Sequence, residues 1–123
     1  MEFCTVINCM DGRVQIPVIN YLKERFDAKY VDSITEPGPN FLLAEQSDFS
    51  LLHSIQQRLK ISVQKHNSGA IAIVGHHDCA GNPTPEETQL VHIAKAKEWL
   101  KQKYPKTEVI GLWVNHNWEV AEV

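Results

Sequence analysis

The chain has 123 residues, enough for one domain with a single buried core and no need of covalent staples. Its 43% apolar and 22% charged content is that of an ordinary globular protein. A formal charge of −3 gives no electrostatic reason to expect a nucleic-acid or anionic-membrane partner, and no apolar run approaches the roughly 20 residues of a bilayer span.

The opening "MEFCTVINC" is too short and too mixed for a signal peptide, so the sequence reads as cytosolic. Within it, "FCTVIN" (3–8) is an apolar, β-branched run that predicts a buried strand ending at "CMDGR". A helix follows over 16–26, with Pro17 in its first turn, where no intrahelical N–H bond is needed. "AKYVDSI" (28–34) alternates as a second strand, and "TEPGPNF" (35–41), with two prolines and a glycine, is expected to be a loop. Leu51, Leu52, Ile55, Leu59 and Val63 form the apolar stripe of a helix from about 47 to 66, capped by Ser47 or Asp48.

"SGAIAIVG" (68–75) is the clearest strand, an unbroken apolar run of the kind covered on both faces of a sheet. "NPTPEE" opens a helix over about 85–103, with acidic residues near its positive end. "EVIGLWV" (108–114) is a fourth strand, and "NHNWEVAEV" (115–123) a turn and short edge strand folding back on it. The alternation predicts one α/β domain over 1–123, a three-layer sandwich with a mainly parallel sheet of order 2-1-3-4 and a C-terminal antiparallel edge strand.

Three cysteines, Cys4, Cys9 and Cys79, are an odd count and argue against a disulfide framework. Cys4 and Cys9 lie roughly 16 Å apart along one strand, beyond the ~7 Å Cα separation a bridge allows. Cys4 reads as core. The other two end strands: "CMDGR" closes the first and "GHHDC" the third. In a 2-1-3-4 sheet these strands are neighbours whose connections leave toward opposite faces, so Cys9, Asp11 and Arg13 are expected to face His76 and Cys79 across a crevice. Two thiolates and an imidazole are a donor set that zinc favours.

The pair C-x-D-x-R and G-H-x-x-C on strands one and three, with "VIGLWVNHNWEVAEV" at the end, resembles the β-class carbonic anhydrases over most of the chain. The resemblance implies Cys9, His76 and Cys79 as ligands of a Zn2+ cofactor, with Asp11 and Arg13 as the paired acidic and basic catalytic residues beside it. It implies reversible hydration of carbon dioxide to bicarbonate by a metal-bound hydroxide, open when Arg13 holds Asp11 and closed when Asp11 is the fourth ligand. It further implies a homodimer or higher homo-oligomer. The sequence departs from the family in three places. Gly12 stands where serine is usual, "EPGPN" replaces an asparagine-rich stretch, and, with a first strand starting at residue 3, the family's N-terminal helical arm is expected to be absent.

Two other functions fit parts of the pattern. One is a zinc-stabilised binding or regulatory domain whose centre stays closed by Asp11. The other is cysteine-based phosphatase or sulfurtransferase chemistry, opposed by Asp11, whose carboxylate lies between Cys9 and Arg13 and would repel an anion. His77 is expected to face solvent, and His53, His66, His92 and His116 to lie on helix surfaces or turns. The hydrophobic "GLWV" strand is expected near a sheet edge, where it can pair with a second copy.

Overall fold

A computed structural model describes all residues, 1–123. Five strands, β1 (Phe3–Cys9), β2 (Tyr30–Glu36), β3 (Ala70–His76), β4 (Glu108–Val114) and β5 (Val120–Glu122), form one sheet of order β2-β1-β3-β4-β5. The first four are parallel and β5 runs antiparallel to β4, as the sequence predicts. Helix α1 (Gln15–Phe26) covers one face; α2 (Pro39–Glu45), α3 (Phe49–Lys60) and α4 (Glu86–Lys103) cover the other.

Strand periodicity sorts the core. Val6, Ala70, Ala72, Val74 and Leu112 pack toward α1 with Val18 and Leu22, while Ile7, Ile71 and Ile73 pack against Ile55, Leu59, Ile93 and Leu100 of the opposite helices. Both faces of β3 are therefore covered and all seven of its residues are buried.

The connection after β1 runs over one face and those after β2 and β3 over the other, so the sheet reverses its winding between β1 and β3. The pairing changes there too. β1 pairs with β2 along its whole length, Phe3 with Tyr30 through Cys9 with Glu36, but with β3 only from Thr5–Ile71 to Ile7–Ile73. Beyond Ile73 the two central strands part.

Two expectations are corrected. The segment 35–41 is only partly loop: Gly38, in the left-handed region at φ 61°, turns the chain into α2, with Pro39 pre-set for its first turn. The helix expected to reach residue 66 stays α-helical to Lys60, with Asp48 as its cap, and widens into a π-helical turn over Ile61–Lys65. "GLWV", in β4, lies next to an edge as expected, with β5 folded back along it; the sheet edges are β2 and β5.

Candidate metal centre

Cys9, His76 and Cys79 meet in the crevice where β1 and β3 part, and all three are buried. One ligand atom from each lies within 4.8 Å of the others, and the two sulfurs are 3.8 Å apart. Two sulfurs bound at about 2.3 Å to one tetrahedral ion would be separated by about 3.8 Å, so the pair is already spaced for zinc.

The protons tell the same story. In the His76 ring, Nδ1 is 2.7 Å from the carbonyl of His77, which makes it the donor nitrogen and leaves Nε2 with a free lone pair. Nε2 is buried and has no hydrogen-bond partner. A buried acceptor without a partner is costly unless an ion or a proton fills the place. The two thiols share a proton: the hydrogen bond from Cys79 pulls Cys9 well below the ordinary thiol range, and the same bond, with burial, pushes Cys79 well above it. Burial alone would push the His76 imidazole down, but the adjacent Cys9 sulfur and the His77 carbonyl raise it. The three groups together thus favour a cation among them. A dication satisfies both sulfurs and Nε2 at once.

Two turns deliver these ligands. After β1, Asp11 Oδ1 accepts from the Arg13 N–H at 2.9 Å, and the guanidinium forks onto the same carboxylate, with Nη2 at 2.7 Å from Oδ2 and Nε at 3.1 Å from Oδ1. These bonds hold Asp11 down at a pKa of about 2. Arg13 also donates to Asp78, to Oδ2 at 3.2 Å and to the backbone carbonyl at 3.1 Å, and stacks over Trp118 with its guanidinium carbon 4.4 Å from the ring centre. It therefore ties the first ligand turn to the second. Gln15, opening α1, donates to the carbonyls of both Cys9 and Asp11, at 2.7 and 2.8 Å.

The turn after β3 is tight: Asp78 sits in the left-handed region at φ 57°, which lets His76 and Cys79 point inward within four residues. It is backed by the "EPGPN" loop, backbone against backbone. A Cβ on Gly81 would lie 2.4 Å from the Pro37 carbonyl carbon, and one on Gly38 would lie 2.6 Å from that of Gly81. The loop that holds Pro37 and Gly38 is thus a wall of the centre.

Asp11 is bonded to Arg13 and is not among the three converging donors. His77 is exposed, as expected; with His116, Asp78, Cys79 and Trp113 it lines a cavity of about 590 Å³ beside the centre. His92 is a correction: it is 7% exposed, with Nδ1 2.9 Å from the amide of Asn82. It belongs to a buried group with Asn40, Asn82 and Gln89 behind the second turn, which sequence reading does not single out. Polar residues on a helix stripe look like a solvent face until their partners, 7 to 49 positions away, are known.

A family model described as "Putative carbonic anhydrase" matches residues 1–123. Among solved structures, one from work on two tetrameric β-carbonic anhydrases of the filamentous ascomycete Sordaria macrospora superposes with a TM-score of 0.64. Identity is 12%, over 99% of this chain and 80% of that one. No curated protein sequence matches the chain.

Proposed function

The chain belongs to this carbonic anhydrase family along its whole length, and from that premise we propose that it catalyses the reversible hydration of carbon dioxide to bicarbonate at a zinc ion held by Cys9, His76 and Cys79. The observation that carries the proposal is the convergence of two sulfurs at zinc spacing on a buried, partnerless imidazole nitrogen. A zinc ion in that donor set would supply the Lewis acidity that lets water ionise near neutral pH.

The chain's own residues do the rest. Arg13 occupies both oxygens of Asp11, which keeps the carboxylate ionised and away from the sulfurs. An ionised carboxylate only accepts hydrogen bonds, so Asp11 can hold the reacting water by one of its protons and aim its lone pair at the carbon of CO2. One C–O bond forms, one proton is released, and bicarbonate departs. The proton has a polar exit in the neighbouring cavity lined by His77 and His116.

The closed reading, a binding or regulatory domain with Asp11 as fourth ligand, is less well supported because Asp11 is already engaged by Arg13. A cytosolic setting is supported by three unpaired cysteines, and a homo-oligomer by the description of the Sordaria relatives as tetrameric. The test is zinc content together with stopped-flow CO2 hydration between pH 7 and 9. Stoichiometric zinc with hydration above the buffer rate is expected; zinc without hydration would favour the closed reading, and a chain that takes up no zinc would end both.

A further inference from the structure

At its carboxyl end β3 has a strand partner on one flank only. The His77 N–H reaches the Val114 carbonyl of β4 at 2.9 Å, but on the other flank β1 has already left, its last pair being Ile7 with Ile73. The N–H and C=O of His76 face that gap. Buried there without partners, they would cost stability and leave the ligand's backbone free to rotate.

We infer that Gln89, the fourth residue of α4, is the positioning residue of the centre, its carboxamide standing in for the missing strand. Oε1 accepts from the His76 N–H at 3.2 Å, and Nε2 donates to the His76 carbonyl at 2.8 Å, so one side chain makes both bonds of a β ladder. The second proton of Nε2 goes to the Asn82 carbonyl at 3.2 Å, and Oε1 takes a second bond from Asn40 Nδ2 at 3.1 Å. Two donors and two acceptor sites are thereby all used. The amide has one admissible orientation, since a flipped one would set NH2 against the His76 N–H and oxygen against two carbonyls.

Gln89 grips the turn at His76 and again at Asn82, on either side of Cys79. It therefore sets the spacing between the two ligands of this turn without touching either ligand atom. The sequence makes room for it: a Cβ on Gly75 would lie 2.8 Å from Gln89 Oε1 and 2.7 Å from Asn40 Nδ2. Gln89 is itself 1% exposed, so no water replaces a lost bond without rearrangement.

This inference rests on the proposed Cys9, His76, Cys79 site, and the experiment separates the two. Full-length wild-type chain and Gln89→Met are titrated with Co2+ against a competing chelator, and the visible d–d spectrum is recorded. Met keeps the length and removes all four bonds. Cobalt affinity is expected to fall about 10–100-fold, as for other residues that orient ligands from behind, with altered d–d bands. Leu59→Val, a core change remote from the centre, is the control for general destabilisation and should leave the spectrum unaltered. Wild-type affinity and spectrum in Gln89→Met would overturn the inference. If Gln89→Met does not fold, Asn40→Ala, which removes one bond to Oε1, takes its place. Exchange of the His76 amide, expected to quicken about tenfold, is then the readout, and an unchanged rate would overturn the inference. A wild-type chain that takes up no cobalt would defeat the metal reading alone, because that exchange rate still tests Gln89.

Discussion

The turn after β1 supplies one of the proposed ligands and is held in the open, by an ion pair whose side chains are 44% and 20% exposed and by the amide of Gln15. The turn after β3 supplies the other two and is held from within, by Gln89, Asn40 and Asn82, none more than 2% exposed. Solvent screens the first set and not the second. The division suits the chemistry. Geometry that must not change is fixed by buried amides, whereas Asp11, which in the proposed reaction meets a water, is fixed by a partner that water can still reach.

The largest expected effect breaks both turns alike. Cys9→Ser or Cys79→Ser should reduce zinc from about one ion per chain to a trace by elemental analysis, because a neutral hydroxyl replaces a thiolate in a three-donor set. Retained zinc in either variant would mean that the two turns do not share one ion. Asp11→Asn separates them: zinc content should hold while CO2 hydration falls on the order of 100-fold, the scale of losing a positioned acid–base group. A parallel loss of zinc would make Asp11 a ligand instead.

Cys4 sharpens the contrast from the far end of β1. Burial, with the negative charge of Asp32 nearby, pushes its thiol up to about 11 from an ordinary 9. A raised folded pKa means that the native state keeps a proton the unfolded chain has lost. The stabilisation is complete below pH 9 and disappears as pH rises from 9 to 11, an amount of about 2–3 kcal/mol. Denaturant melts of wild type and Cys4→Ala should therefore converge over that window, and parallel curves would refute the assignment. The smallest effect on stability belongs to Arg13→Met. Its ion pairs are exposed, so the melting temperature should fall by a few degrees at most, while hydration falls much further through Asp11. A collapse in stability would move Arg13 from the chemistry to the scaffold.

How much of this is legible in the sequence follows from where each partner lies. β3 announces itself because both its faces are buried, which requires an unbroken apolar run. The meeting of Cys9, His76 and Cys79 is legible because winding order brings two strand ends together, and their residue types are those that could hold a metal ion. Helix α2 is not, since its start, Pro37-Gly38-Pro39, has the composition of a loop and only the left-handed φ of Gly38 turns it into a helix entry. Gln89 and His92 are not, because they occupy the inner stripe of α4 beside Ile93 and Ala96 as polar residues, and nothing local distinguishes a paired amide from a solvated one. The pairing of Asp11 with Arg13 is one of two states the motif allows, and the structure holds that state.

The seam between Gly38 and Gly81 has a consequence for anyone who would transplant this centre. With no side chain to act as a cushion, a displacement of either loop is passed directly to the other, and so to Cys79. A graft that carried only the ligand-bearing segments into a new scaffold would leave the second turn without its backstop. The smallest portable unit has three pieces, of which the second must run on through Gln89 and the third contributes no ligand.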